Sequence, residues 1–285
     1  MANISQERKI VAIAMFISFL LIFSLTLAPA SPWNLCKLKK AVTTATVAAG
    51  LSFGAAPGAH AAGALPNRDI YFGVGCYWHV MHEFVQTEQN VLGRGTKEVT
   101  SAAGYGGSKL VGKDSNRPDN KKGVVCYHNL MGVGDYGSLG YGEVVGMDLP
   151  KTEGAMRAFA KEYFSLFKNG DRPDLGDRGL EYRSLIGLPG GMNSPLFKAL
   201  EEEAVSAGQK LVAGKGGDTD TSGKKIVWIY DSDEFPFRQA EIYHQFHDGF
   251  MPGEQYPQAY NDLAREAYFD GRIEPTGCPD SIPRG

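Results

Sequence analysis

The chain has 285 residues, of which 43% are hydrophobic and 21% charged, and its formal net charge is −3. That balance suits a globular protein with ample core and excludes the basic, aromatic-interleaved stripe of a nucleic-acid binder. The four cysteines, Cys36, Cys76, Cys126 and Cys278, are too few for a disulfide scaffold, and no CxxC pair marks a zinc site.

The first sixty or so residues read as address rather than fold. Arg8 and Lys9 precede an uncharged apolar run from Ile10 to Ala30 that closes on Ala28-Pro29-Ala30, the order of a secretory signal peptide. Lys37, Lys39 and Lys40 then precede a second uncharged stretch, Ala41 to Ala59, closing on Ala59-His60-Ala61. Two such signals in tandem resemble the bipartite leader of proteins sent through the secretory route into a complex plastid, and onward to the thylakoid lumen. The alternative is one signal peptide and a linker, for a secreted, endoplasmic-reticulum or membrane-anchored protein. Either way the expectation is a leader over 1–62, a single folded domain over 63–285 with a flexible C-terminal tail, and membrane contact only through the leader.

In chain order, Asp69 to Val74 predicts a strand and His79 to Thr87 a helix with Val80 and Phe84 on one face. Val99 to Ala103 predicts a short strand, and residues 108–123, rich in Lys, Asp, Asn and Gly, a solvated loop. Gly142 to Leu149 alternates as a strand with Glu143 on one face, and Thr152 to Lys168 is an amphipathic helix. Leu185 to Leu188 predicts a strand. Ser194-Pro195 predicts a helix start that runs to Ala207. Lys225 to Tyr230 predicts a strand and Pro257 to Phe269 a last helix, before a tail holding Cys278. The order β, α, β, β, α, β predicts an α+β fold, a ferredoxin-like two-layer sandwich with a mixed or antiparallel sheet and helices packed on it.

Cys76 is the residue with the most chemistry around it. It stands in Gly75-Cys76-Tyr77-Trp78, at a strand-to-helix turn. Backbone amides and the positive end of a helix dipole there favour thiolate, the nucleophilic form. A small buried cysteine in a βα turn fits the same tetrapeptide.

Further segments follow in order: Gly104-Tyr105-Gly106-Gly107, then Gly140-Tyr141-Gly142-Glu143-Val144-Val145, then Asp177-Arg178-Gly179-Leu180-Glu181-Tyr182-Arg183-Ser184, then Ala240-Glu241-Ile242-Tyr243-His244-Gln245. With the cysteine turn they resemble, over roughly residues 69–250, the peptide-methionine (S)-S-oxide reductases, whose hallmarks are GCFWG, GYxGG, GHAEVV, DxGxQYRS and AExYHQ. The resemblance implies Cys76 as nucleophile toward the sulfoxide sulfur and Glu143 as proton donor to its oxygen. It implies Tyr105 and Tyr182 as hydroxyls that hold that oxygen, Asp177 in the same polar site, and Tyr77 with Trp78 as the pocket for the S-methyl group. Cys278, in a tail with Pro275, Gly277 and Pro279, would resolve the sulfenic acid on Cys76, and Cys126 reads as a buried strand cysteine. The resemblance implies no bound cofactor or metal, thioredoxin or another dithiol as reductant, oxidised proteins or free methionine sulfoxide as partners, and a monomer.

The sequence departs from those hallmarks at Tyr77 for Phe, His79 for Gly, Tyr141-Gly142 for His-Ala and Glu181 for Gln. None of these removes a reacting group. Cys76, His79 and His82 invite a metal reading, but positions i and i+6 of a straight helix point roughly 120° apart. A thiol sensor, or a protein that binds oxidised methionine without turnover, is the non-enzymatic alternative. A thiol peroxidase would need an arginine beside the cysteine, and none is near in sequence.

Overall fold

The structure is a computed structural model and describes residues 65–113, 123–248 and 256–279. These belong to a compact unit spanning Gly58–Gly285. The expected leader and part of the expected loop, 114–122, lie outside the described residues. Among the described residues no helix is long and apolar enough to cross a membrane.

Strand β1 (Ile70–Gly73) leads into helix α1 (Tyr77–Leu92). Strand β2 (Ala102–Gly106) is followed by a long excursion, 107–141, before β3 (Gly142–Met147). Helix α2 (Glu153–Ser165) returns the chain to β4 (Leu185–Leu188). Helix α3 (Phe197–Ser206), β5 (Lys210–Ala213), β6 (Ile226–Asp231), β7 (Arg238–Gln239) and α4 (Gln258–Phe269) complete the unit. The sheet has seven strands in the order β5-β6-β4-β1-β3-β2-β7. Its centre, β4-β1-β3-β2, is antiparallel throughout, the split β-α-β arrangement expected from the element order. β6 joins β4 in parallel and β5 joins β6 in parallel, while β7 caps the far edge antiparallel to β2. The fold is α+β, a mixed sheet with four helices among the described residues.

Both faces of the central strands are covered, which is why they read as nearly continuous apolar runs. On one face Phe72, Val145 and Ile186 meet Val80 and Phe84 of α1 and Phe159 and Tyr163 of α2 in the main core. On the other, Tyr71, Val144, Leu185 and Tyr230 pack under Phe235. α1 runs five residues past its expected end and stops where Gly93 turns left-handed at φ 68°, its N–H closing on the Glu88 carbonyl.

Three expectations shift. The strand expected at 99–103 lies at 102–106, so it takes in the Gly-Tyr-Gly segment and sets Tyr105 directly across from Glu143. The helix expected to start at Ser194-Pro195 starts at Phe197. Ser194 is held extended (φ −60°, ψ 141°) ahead of the proline, and its carbonyl closes a tight turn with the Phe197 amide instead. β5 and β7 were not expected. β5 is a half-exposed edge strand without an apolar alternation, and β7 is two residues long.

Candidate active site

The turn between β1 and α1 is built around a glycine and two carboxyls. Gly75 is left-handed at φ 74°, and a side chain there would run into the Asp177 carboxylate. With no side chain in the way, Asp177 Oδ2 accepts from the Cys76 amide at 2.9 Å. The next amide, Tyr77 N, donates to Glu143 Oε2 at 3.0 Å. The head of α1 is therefore closed by two acidic side chains brought from distant parts of the chain, β3 and the 170s loop, as the helix dipole favours. Asp177 is itself held from behind: Arg172, almost fully buried, donates Nε to the Asp177 carbonyl at 2.7 Å and Nη2 to Asp220 at 2.8 Å.

Burial dominates the electrostatics. Glu143 is 2% exposed, and desolvation pushes its carboxyl up to about 8, against the pull of its bonds from Tyr77 N and Tyr136. Cys76 is 8% exposed, and burial, reinforced by the nearby Glu143 and Asp177, pushes its thiol well above the ordinary range. The helix amides at Trp78 and His79 pull the other way, as the sequence leads one to expect, but they are outweighed. Asp177 is also raised by burial. The resting site therefore holds a thiol and a neutral carboxylic acid side by side, not an exposed thiolate. Two raised groups this close titrate as a pair.

The tyrosines divide unexpectedly. Tyr136, in the excursion between β2 and β3, donates its hydroxyl to Glu143 Oε1 at 3.1 Å. Tyr105, despite its register with Glu143, gives its hydroxyl to Glu241 Oε2 at 2.8 Å, and its ring stacks on Tyr136 with centroids 4.7 Å apart. Tyr182 is half-buried, and its hydroxyl has no hydrogen-bond partner among the described residues; Glu143 and Cys76 are among the groups that act on it. The two aromatics after the cysteine also divide. Trp78 lines an open cleft of about 610 Å³, with Tyr127, His128, Asn129, Glu241, Tyr243, His244 and Pro279. Tyr77 lies beneath it, 1% exposed, with a buried hydroxyl that has no hydrogen bond. His244, which accepts from Trp78 Nε1 at 3.3 Å, is kept neutral by burial, its pKa pulled down to about 3.

Cys278 and Cys126 form a disulfide that joins positions 152 residues apart. Cys278, expected in a swinging tail, is 5% exposed here, and Cys126, expected as a lone strand cysteine, is its partner. Cys76 is the free cysteine among the described residues. The neighbours of the pair, Tyr127 and Pro279, line the cleft, and the Glu241 carboxylate lies within 4.8 Å of both sulfurs. That trio is a close set of metal-ligand types, but its sulfurs are spent on each other. His79 and His82 do not converge on Cys76; they engage Tyr256, Glu83 and Gln86.

The sequence expectations thus meet in one place for Cys76, Glu143 and Asp177, with Tyr182 and Trp78 at its edge. Tyr136 and Arg172 were missed. A tyrosine in a glycine-rich loop and an arginine before a proline carry no local signal, and only the tertiary path assigns them.

No protein-family model and no curated relative matches the chain. Among solved structures it is similar to methionine sulfoxide reductase A of Corynebacterium diphtheriae, at 17% identity and a TM-score of 0.37, over 66% of this chain and 78% of that one. The likeness is a distant one of fold.

Proposed function

We propose that the protein reduces the S-epimer of methionine sulfoxide, free or in proteins, through Cys76. The observation that carries this reading is the buried Cys76 thiol beside a carboxyl, Glu143, that stays protonated up to about pH 8. Sulfoxide reduction needs a sulfur nucleophile and a proton donor to the leaving oxygen in one dry site. Glu143 protonates the oxygen, the Tyr182 hydroxyl holds it, and the Cys76 thiol gives up its proton as it attacks. Oxygen ends on Cys76 as a sulfenic acid, two electrons pass to the sulfoxide sulfur, and methionine leaves. Trp78 supplies the apolar wall for the methyl group.

Recycling fits the second sulfur pair. Once a dithiol such as thioredoxin has reduced Cys126–Cys278, the Cys278 thiol displaces water from the sulfenic acid to give a Cys76–Cys278 disulfide. Cys126 then displaces Cys76 and restores the bond present here. Protein repair in an oxidising compartment, with the leader supplying the address, is the matching role.

The test is reduction of the two separated epimers by residues 65–285, with dithiothreitol as reductant and Cys76→Ser as control. S-epimer turnover lost in the variant supports the reading. No methionine from either epimer contradicts it. The locked Cys278 favours one second reading, a sensor that reacts once. It predicts a single burst of methionine with no turnover under any dithiol.

A further inference from the structure

Glu143 must be given protons if the site is to turn over, and the molecule offers a marked path to it. Tyr136 Oη touches both Glu143 Oε1 at 3.1 Å and Glu181 Oε2 at 3.4 Å. The same Glu181 oxygen lies 3.3 Å from His128 Nε2, and His128 Nδ1 lies 2.7 Å from Asp135 Oδ2. The series starts at a carboxyl 2% exposed and ends at a histidine whose side chain is 46% exposed on the cleft wall. Every link is a group that can both take and give a proton. Glu181 is pressed against Gly137, where a side chain would collide with its carboxylate, so its position is fixed by packing. Asp135 is pinned in turn by the Ser138 amide at 2.8 Å.

The geometry points to a proton relay, His128 to Glu181 to Tyr136 to Glu143, that reloads the buried acid from solvent between turnovers. The inference rests on the sulfoxide-reductase reading. In the first half-reaction the site needs no outside proton. Glu143 gives its proton to the sulfoxide oxygen, takes the one Cys76 releases, and the oxygen, with its proton, ends in the sulfenic acid. The second half differs. A reducing thiolate attacks the sulfenic sulfur, and the departing hydroxide takes one proton to become water. A second thiolate then releases Cys76, whose sulfur takes another proton. The reductant reacts as thiolate, so both protons come from solvent.

The groups facing the relay suit this traffic. Glu143 faces Asp177, Glu181 and Cys76, and the phenols of Tyr77, Tyr105, Tyr127, Tyr136 and Tyr182. Tyr136 faces Glu143, Glu181, Tyr127 and Tyr182, which oppose its phenolate, and its ring lies 4.7 Å from that of Tyr105 and 4.9 Å from that of His128. At His128, partial burial works against the charged ring, but Asp135 and Glu181 outweigh it and hold its pKa above the ordinary value. A histidine so poised collects protons near neutral pH. Glu181 stands where the resembling family carries glutamine, so the carboxyl link belongs to this chain.

The experiment compares His128→Ala, Glu181→Gln and wild type with S-methionine sulfoxide and dithiothreitol, in the first turnover and in the steady state. The first turnover of each variant matches wild type at the same pH, because the first half-reaction draws no proton through the relay. Steady-state turnover at about pH 9 falls by roughly 10-fold or more in both variants, the deficit shrinks toward about pH 6, and added imidazole restores His128→Ala but not Glu181→Gln. Unchanged steady-state rates, or losses equally present in the first turnover and indifferent to imidazole, overturn the relay while leaving the reductase reading intact. A wild-type protein that makes no methionine overturns that reading, and the relay falls with it.

Discussion

The turn at Cys76 and the excursion from 107 to 141 teach opposite lessons about where this site comes from. The turn is short, and its residues are neighbours in sequence: Gly75 permits the bend, Cys76 supplies sulfur, and the head of α1 offers amides to Glu143 and Asp177. The excursion is long and polar, yet it delivers Tyr136 to Glu143, Tyr127 and His128 to the cleft wall, and Cys126 to Cys278. On the proposed function, the first region supplies the reacting atoms and the second governs what surrounds, protonates and ties down those atoms. If this division is right, substitutions in the turn remove chemistry with little loss of fold, and substitutions in the excursion change stability and pH response with chemistry retained.

The sharpest break of the comparison is Cys76→Ser. It should abolish sulfoxide reduction while leaving the thermal midpoint near wild type, measured by methionine formation and calorimetry. Glu143→Gln should follow, lowering turnover about 100-fold or more at neutral pH, because a general acid is worth that much. The same variant has a signature in stability. A carboxyl raised from 4.5 to about 8 on folding favours the folded state most below the lower value, and that support is lost as pH rises through the higher one. Wild-type stability should therefore decline between these limits, and the Glu143→Gln protein should vary less with pH across the same window. Flat wild-type stability there would contradict the burial of a neutral acid.

The excursion should respond differently. Cys126→Ser removes a bond that closes a loop of 152 residues, and the expected loss is roughly 3–5 kcal/mol in chemical denaturation. Dithiothreitol-driven turnover should survive in this variant and thioredoxin-driven turnover should not. The smallest expected effect lies outside both regions, at Tyr105→Phe in β2. It leaves Glu241 short of a donor and costs about 1–3 kcal/mol of stability. It should slow reduction less than Tyr182→Phe, which removes the hydroxyl proposed to hold the oxygen. A Tyr105 variant slower than the Tyr182 variant would move the oxygen-holding role back to Tyr105.

What the sequence made legible follows the same division. The amphipathic α2 appears in local periodicity because one of its faces meets the core, while Ile70–Gly73 and Gly142–Met147 were legible as short strand segments although every residue of both is buried. Cys76, Glu143 and Asp177 were legible because each sits in a compact segment whose neighbours resemble a known pattern. Tyr136 was not, since nothing within a few residues of it marks the carboxyl it meets. The Cys126–Cys278 bond was hidden for a related reason: an apolar strand-like run and a Pro/Gly-rich tail give no hint of each other. Tyr105 shows a different limit. Its register across from Glu143 fits the expected partnership, yet Glu241, arriving from the far end of the domain, claims its hydroxyl. Ser194-Pro195 shows that a capping signature can close a tighter turn and defer the helix to Phe197.

The most direct measurement is the amount and rate of methionine formed from the pure S-epimer in a single turnover of the reduced protein, followed across pH. The account predicts one methionine per Cys76, with a rate that holds below and falls above about pH 8 as Glu143 loses its proton. No methionine, or a rate that climbs steadily with pH as for a simple exposed thiolate, would contradict it.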